Sequence, residues 1–319
     1  MAKQVNTNSY LSNLEIFSTT LLRLAQLDSN IVAVTSDSRG SAKLGPFGIQ
    51  FPEQIVEVGI AEQNLVGVAA GLASCGKKVF AVSPACFLTA RALEQIKNDV
   101  AYSDNPVNVI GISAGVSYGA LGSTHHSLHD FAALRAINNI IVVAPADNFE
   151  TVQAIELAAL TNQPIYLRFG KKAMPPLKEL NEDKFLFGKG RVICEGDDVA
   201  IVATGETVYL ALQAAKKLAS EYAVNATVVS MHTIKPLDVE LLAQLAAKCK
   251  AIVTVEEHSV YGGLGEACAA YLLQSNYYNK FRILGIPDEY TVTGSQTEIL
   301  NHYGISETGI TDVVLQLLK

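Results

Sequence analysis

The sequence predicts two doubly wound α/β domains, each built on a mostly parallel sheet covered by helices. Its 319 residues correspond to about two domains at roughly 150 residues each. Apolar, β-branched runs alternate with segments of helical period along the chain, a pattern typical of parallel sheets buried on both faces. The alternation stops over residues 171–190, where two prolines are adjacent and charges are frequent. This stretch is the predicted linker between the domains.

The individual elements follow from these runs. In the first half, strands are expected at residues 31–35, 55–58, 78–82, 107–112, 140–144 and 165–169, and helices at about 12–27, 61–75, 86–101 and 147–160. In the second half, strands are expected in the runs DVAIVATG, NATVVSM, AIVTVEE and FRILGI, with helices at about 206–222, 239–248 and from 265. The predicted domain boundaries are 8–172, a linker over 173–190, and 191–319.

Composition excludes several classes of protein. The 24 Lys and Arg against 31 Asp and Glu leave a net charge of −7, which disfavours binding to nucleic acid or to an anionic membrane surface. The longest uncharged stretch, residues 105–129, is broken by a proline and four glycines and is not a predicted membrane span. The five cysteines are scattered in apolar runs without CxxC spacing, and we expect buried thiols in a cytoplasmic protein.

A G-x-S-x-G motif follows the fourth predicted strand, at Gly111, Ser113 and Gly115. In an α/β-hydrolase this motif carries the nucleophilic serine, but it also requires a helix to begin at once. The next residues, VSYGALGSTHHS, show no helical period. A serine nucleophile is therefore the weaker interpretation.

A glycine-rich turn, YGGLG at residues 261–265, follows the run AIVTVEE and opens a helix. Backbone amides at such a helix start can bind an anion. The dinucleotide fingerprint would need a third glycine where Cys268 stands. We therefore favour a tight strand-to-helix turn without a ligand.

Half of the six histidines lie in one uncharged, glycine-rich segment. His125, His126 and His129 stand within five residues, beyond the end of a predicted parallel strand, which is where open α/β sheets bind ligands. We expect His125 to be functional and leave the roles of His126 and His129 open. No carboxylate or Cys completes an obvious ligand set, so no metal site is predicted.

Glu62 is a carboxylate in apolar surroundings. It opens the run EQNLVGVAAGLASCG, which is apolar or small on nearly all sides. An acidic residue in the first turn of a helix commonly complements the helix dipole. Apolar surroundings also favour a carboxyl group that can share a proton at neutral pH, and this makes Glu62 a candidate catalytic residue.

The chain resembles a known enzyme family in both halves. The pyrimidine-binding domain of transketolase and of deoxyxylulose-phosphate synthase is similar to the runs EVGIAEQNLVGVAAGLA, PACFLTA and GALGSTHHSLHDFAALRAINNIIVVAPAD. The C-terminal domain of that family is similar to DVAIVATGETV, VVSMHTIKPLD and VEEHSVYGGLGEA. The order and spacing of these runs extend the resemblance over nearly the whole chain, and the resemblance implies thiamine diphosphate as the cofactor.

The family also needs a diphosphate-binding domain, in which a GDG sequence and a later Asn hold Mg²⁺ and the diphosphate. No GDG occurs here. The resemblance therefore implies the C-terminal subunit of a split transketolase, with the Mg²⁺ held mainly by an N-terminal partner subunit. Since the family binds thiamine between the domains of two chains, an α2β2 heterotetramer is expected.

The resemblance assigns three residues to the cofactor. Glu62 matches the glutamate whose carboxyl group drives the aminopyrimidine into its imino form, so that the thiazolium carbon can lose its proton. Phe87 matches the ring that stacks on the aminopyrimidine. Asp37, in the run TSDS, matches an aspartate near the thiamine across the boundary between two chains.

The resemblance assigns other residues to the substrate. His125 matches the histidine that faces the reacting end of the donor, and Ser41 matches a serine of the acceptor's phosphate site. Lys171 falls where the family has a basic phosphate contact, and Arg168 stands three residues earlier. Two such cations could hold a phosphate or sulfonate group, although solvated linker charges are the alternative.

Three positions depart from the family pattern. Leu121 stands where transketolases commonly have an Asp that reads a donor hydroxyl, Ser113 stands where many have a His, and an N-terminal Arg is replaced near Ser9. We include Ser113 among the substrate-binding residues. Because a site built around a hydrogen bond discriminates more strongly than an apolar one, we expect a relaxed donor range or a ketose of different stereochemistry or branching.

The predicted function is transfer of a two-carbon ketol unit from an anionic ketose to an aldose, by a transferase active only with its partner chain. A split deoxyxylulose-phosphate synthase and the beta chain of a 2-oxo acid dehydrogenase are alternatives with the same cofactor. A serine hydrolase and a non-catalytic scaffold are alternatives of other classes. The presence of Glu62, Phe87 and His125 argues against the scaffold.

Overall fold

Two sheets flanked by helices organise the chain, which the computed structural model describes over residues 10–177 and 184–319. The strands of these residues are β1 (Ile31–Thr35), β2 (Ile55–Glu57), β3 (Lys78–Pro84), β4 (Val107–Ile112), β5 (Ile141–Val143), β6 (Ile165–Arg168), β7 (Arg191–Cys194), β8 (Val199–Ala203), β9 (Ala226–Ser230), β10 (Thr233–Lys235), β11 (Ala251–Ser259) and β12 (Lys280–Ile286). The first sheet has the order β10-β5-β6-β4-β3-β1-β2, and the second has the order β12-β11-β8-β9-β7.

Helices cover both sheets. They are α1 (Asn13–Leu27), α2 (Gly45–Gln50), α3 (Glu62–Ser74), α4 (Ala85–Arg91), α5 (Leu93–Gln95), α6 (Asp130–Arg135), α7 (Asn148–Leu160), α8 (Thr207–Tyr222), α9 (Val239–Lys248), α10 (Leu264–Gln274), α11 (Gln296–His302) and α12 (Glu307–Leu318). Within the described parts of the chain, no helix is long and apolar enough to cross a membrane.

The predicted α/β fold class is confirmed, with two antiparallel exceptions at sheet edges. Every residue of β1, β4 and β8 is buried, as expected for strands covered on both faces. However, β7 pairs antiparallel with β9, and β10 pairs antiparallel with β5. Both strands are short and lack a long apolar run, which explains why periodicity does not predict them. Because β10 belongs to the second half, the two halves share the first sheet.

The prediction of a single helix over residues 86–101 is wrong, because three shorter helical segments stand there. Helix α4 ends at Arg91, and Ala92 leaves helical geometry with φ −103° and ψ 18°. After α5, the chain forms a π-helix over Ile96–Tyr102, whose wider turn accommodates an extra residue. This turn buries Ile96, Val100 and Ala101.

Some predictions fall partly outside the described residues or need correction. Residues 1–9, which include Ser9, and residues 178–183 of the predicted linker are not described. Cys86, Cys249 and Cys268 are buried as expected, whereas Cys194 is only partly buried. Cys75 is exposed, since it follows the end of α3 at the surface.

The two halves pack on a common hydrophobic core. One cluster of buried side chains joins Val109 and Phe131 of the first half to Met231 and Leu264 of the second. This packing brings the second half against the segment that follows β4. That segment carries the predicted histidines.

Candidate active site

The carboxyl ends of β1, β3, β4 and β6 meet at one edge of the first sheet, because these strands are adjacent and parallel. The predicted site residues that follow these strands are Asp37, Phe87, Ser113 and Lys171. Open α/β sheets bind ligands at this edge. The topology therefore gathers at one edge residues that are far apart in the sequence.

Glu62 is buried at the start of α3, with only 4% of its surface exposed. Its Oε1 accepts a hydrogen bond from Arg91 Nη1 at 3.0 Å. The same guanidinium lies over the Phe87 ring, with its central carbon 4.3 Å from the ring centroid. Arg91 therefore joins the two residues that the resemblance assigns to the cofactor. The sequence pattern did not single out Arg91, although its spacing of one helical turn from Phe87 is a usable signal.

His125 lies beside the same ring. Its imidazole meets Phe87 edge-on, with centroids 5.3 Å apart and planes at 74°, an arrangement favoured between aromatic rings. A second edge-on contact, at 5.6 Å and 73°, joins it to Tyr118. Glu62, Phe87 and His125 are thus brought to one place. His129 is exposed, and its Nε2 lies 3.3 Å from Thr89 Oγ1.

The segment from 113 to 129, called here the β4–α6 loop, is held by the second half of the chain. Val116 donates its N–H to Glu257 Oε1 at 2.8 Å. Burial and the nearby Glu206 carboxyl raise the pKa of Glu257 to about 7, while the positive charge of Arg168 opposes the shift. The loop is therefore tied to a buried polar group of the other half.

His126 anchors the same loop from the inside. It is 4% exposed, its Nε2 lies 3.0 Å from the Gly119 carbonyl, and its Nδ1 lies 2.6 Å from Thr291 Oγ1. Since a carbonyl only accepts, Nε2 carries the proton and Nδ1 accepts from the threonine hydroxyl. Burial lowers the pKa of His126, which favours this neutral form. The structure thus gives His126 a structural role.

The G-x-S-x-G motif has a packing explanation. A Cβ at Gly111 would lie 2.3 Å from the Tyr166 hydroxyl, and one at Gly115 would lie 2.4 Å from Glu257 Cδ. Ser113 is 1% exposed with φ +53°, and the next helical turn begins only at Gly119. The helix that a nucleophile elbow requires does not follow, which argues against a serine hydrolase.

Ser41 and Lys171 line the same cavity, whereas Asp37 is not among its lining residues. Ser41, Lys43 and Lys171 line one cavity of about 380 Å³. Asp37 is exposed with φ +53°, and its N–H donates to Glu57 Oε1 at 2.7 Å. Glu15 lines the same cavity, so one carboxylate faces two ammonium groups there. The net charge of the lining is positive, which suits an anion.

Arg168 requires a correction, because the structure does not leave it free for a substrate anion. It is 7% exposed, and its Nε donates to Asp130 Oδ2 at 2.8 Å. Its Nη2 donates to the carbonyls of Ser127 and Glu257 at 3.2 and 2.8 Å. The guanidinium therefore ties β6 to the β4–α6 loop and to β11, and we do not retain it as a substrate contact.

The backbone N–H groups of the glycine-rich turn before α10 are already hydrogen-bonded to a side chain of the protein. Glu256 accepts hydrogen bonds from the N–H groups of Leu264 and Gly265 at 2.7 and 2.8 Å. Burial raises the pKa of Glu256 to about 7, and these two N–H groups oppose the shift. The turn is therefore a packed strand-to-helix connection, as favoured above.

Within residues 10–177 and 184–319, no group of three or more His, Cys, Asp or Glu side chains is arranged to hold a metal ion.

The fold and the gathered side chains define an α/β protein with a candidate active site at the carboxyl edge of a parallel sheet. Two families match the chain: the transketolase pyrimidine-binding domain over residues 10–176 and the transketolase C-terminal domain over residues 188–310. The chain therefore belongs to the transketolase family and is one chain of a transketolase-type transferase. This confirms the resemblance and excludes the serine hydrolase as the family.

Individual relatives cover almost the whole chain. It is 46% identical over 312 residues to a subunit of apulose-4-phosphate transketolase from Phocaeicola vulgatus, covering 98% of this chain and 99% of that protein. It is 39% identical over 291 residues to the protein of the same name from Actinobacillus succinogenes, covering 90% and 92%. A solved split gene transketolase, an inactive β4 tetramer, matches with a TM-score of 0.86 at 36% identity, covering 97% and 99%.

Proposed function

We propose that this chain supplies the pyrimidine-binding half of a thiamine diphosphate site in a split transketolase, which transfers a ketol unit from a ketose phosphate to an aldose. The observation that carries the proposal is the convergence of Glu62, Phe87 and His125 at one edge of the sheet. Two relatives that are named as transketolase subunits match this chain over most of their own length, which supports an enzyme made of two kinds of chain.

The residues present fit the pyrimidine half of the cofactor. Glu62 offers a buried carboxyl group, and Phe87 offers a half-buried apolar ring next to it. Thiamine diphosphate, when bound, supplies an acidic thiazolium carbon. Glu62 would hold a proton at a nitrogen of the pyrimidine ring, and Phe87 would orient that ring by stacking. Asp37 is proposed to face the cofactor across the boundary between two chains.

The partner chain is proposed to hold Mg²⁺ and the diphosphate, since the GDG sequence of the family does not occur in this chain. Two copies of each chain would form the α2β2 assembly. The tetrameric state of the related split gene transketolase supports the association of such chains with one another.

Reconstitution tests this proposal. The purified chain should be inactive in ketol transfer, and addition of the partner chain, thiamine diphosphate and Mg²⁺ should restore turnover. Omission of each component in turn is the control. Robust ketol transfer by this chain alone, with the partner rigorously excluded, would contradict the proposal of a split enzyme.

A ketose phosphate of the apulose 4-phosphate type is the proposed donor. The relatives from Phocaeicola vulgatus and Actinobacillus succinogenes carry this sugar phosphate in their names. The cavity lined by Ser41, Lys43 and Lys171 is proposed to hold its phosphate group. Ser113, which is 1% exposed, is not retained as a substrate contact.

Replacement of Lys171 tests the anion site. Lys171→Ala should raise KM for a phosphorylated substrate about tenfold or more, because a charge-assisted hydrogen bond is lost, and should spare an uncharged short hydroxyaldehyde. Lys172→Ala is the matched control, since the neighbouring ammonium donates to Thr297 Oγ1 at 3.1 Å instead. An equal loss for charged and uncharged substrates would make Lys171 structural.

A further inference from the structure

One side chain, Tyr118, joins the two ends of the proposed substrate site. Its ring meets the His125 imidazole edge-on at 5.6 Å, and the Lys171 ammonium lies 4.8 Å from the same ring centroid. The side chain is half-buried. His125 belongs to the reacting end of the site and Lys171 to the anionic end, so the Tyr118 ring stands between the two.

The backbone around Tyr118 is fixed. Gly119 donates its N–H to the Val116 carbonyl at 2.8 Å, and Leu121 donates to the Tyr118 carbonyl at 3.2 Å. Gly119 has φ +51°, and a Cβ there would lie 2.5 Å from the Gly294 carbonyl oxygen. Only glycine lets the loop approach the second half this closely. The position of the Tyr118 ring is therefore set by both halves of the chain.

The phenol of Tyr118 is protonated at neutral pH. Burial raises the pKa of Tyr118, and an interaction with the Ser113 side chain opposes the shift. The hydroxyl can therefore donate one hydrogen bond and accept another.

The neighbouring positions offer few polar groups to a ligand. Leu121 is 55% exposed and apolar, and Ser113 is short and 1% exposed. Neither side chain combines exposure with a long polar group, so a donor hydroxyl at this point of the site needs another partner.

We propose that Tyr118 is a specificity-determining residue that reads a hydroxyl of the donor ketose through its phenol, while its ring spaces the reacting end at His125 from the anionic end at Lys171. This inference rests on the proposed function. It predicts selection for short ketose phosphates that carry a hydroxyl between the ketol unit and the phosphate.

The test uses the assembled enzyme with two donors that deliver the same ketol unit. Apulose 4-phosphate carries further hydroxyls and a phosphate, whereas hydroxypyruvate lacks both. Tyr118→Phe removes the hydroxyl and keeps the ring, so kcat/KM for apulose 4-phosphate should fall about tenfold, the value of one hydrogen bond, while kcat/KM for hydroxypyruvate should stay within about twofold. Tyr118→Leu should additionally raise KM for a phosphorylated acceptor, because Lys171 loses its ring contact.

Tyr278→Phe is the matched control, because the same hydroxyl is removed from a tyrosine that is 77% exposed. Tyr278→Phe should leave kcat/KM unchanged for both donors. If Tyr118→Phe lowers kcat/KM equally for both donors, or for neither donor, Tyr118 does not bind a donor hydroxyl and the inference is overturned. If the unaltered complex uses neither donor, the proposed function itself fails, which is a distinguishable outcome.

Discussion

The proposed cofactor side and the proposed substrate side of this site are held by different parts of the chain. Glu62 and Phe87 stand on α3 and α4, which pack against β3 of the first half. The β4–α6 loop instead depends on Glu257 and Thr291, which are 141 and 165 residues away from their partners Val116 and His126. Cofactor activation should therefore depend on the first half, and substrate handling on both halves.

The two sides also differ in what holds their residues in place. A helix start positions Glu62 through the backbone of a regular element. The loop with His125 has little regular structure, and side-chain hydrogen bonds from the second half replace it. We expect mutations to affect the two functions separately, and the following predictions test that separation.

The largest effect is expected on the cofactor side. Glu62→Gln should slow exchange of the thiazolium proton in the assembled complex by at least about 10²-fold, the scale for losing a positioned acid or base, while assembly stays almost intact. NMR measures this exchange directly. Glu94→Gln, the same change at an exposed residue of α5, is the control. An unchanged exchange rate in Glu62→Gln would remove this residue from the mechanism.

Much of the fold could be predicted because periodicity is local. The buried runs of β1, β4 and β8 and the helical period of α9 stand at the predicted places. The sequence did not reveal β10, because three residues carry little periodic signal and the strand joins a sheet built by the other half. The break after Arg91 was missed because the helical pattern of apolar residues continues through it.

The candidate site could be predicted less completely than the fold. Glu62 and His125 could be named as candidates from chemistry and resemblance, since they are polar residues in apolar or glycine-rich runs. Arg168 was misjudged because its partner, Asp130, lies 38 residues away, so the sequence shows a free cation where the fold has an ion pair. Tyr118 was not singled out, because the rings and charges around it come together only in the fold.

A smaller effect, confined to the substrate side, is expected from His125. His125→Ala should reduce donor turnover about tenfold or more by loss of an imidazole hydrogen bond at the reacting end, with the affinity for thiamine diphosphate almost unchanged. Calorimetric titration and steady-state kinetics on the assembled enzyme measure the two quantities. His126→Ala should be milder in turnover, and His302→Ala on the exposed surface is the control. Loss of cofactor binding with normal turnover per bound cofactor would reverse the assignment.

The smallest effect is expected at Thr291, which lies outside the first half altogether. Its hydroxyl is 2.6 Å from His126 Nδ1 and 3.0 Å from Ser123 Oγ, and the residue is 7% exposed. Thr291→Val keeps the shape but leaves the buried Nδ1 of His126 without its hydrogen-bond donor, whereas Ser123 Oγ still accepts from the backbone N–H of residue 291. The free energy of unfolding should therefore fall by about 1–3 kcal/mol.

The same variant should raise the donor KM severalfold, because the loop that carries His125 loses an anchor, and should leave thiazolium proton exchange within about twofold of the unaltered enzyme. Thr19→Val, at an exposed helix position of the first half, is the matched control for loss of a threonine hydroxyl. Denaturant unfolding, donor kinetics and proton exchange should be measured on the same preparations. If proton exchange falls in parallel with donor turnover, the second half supports both sides of the site and the separation drawn from the contacts is wrong.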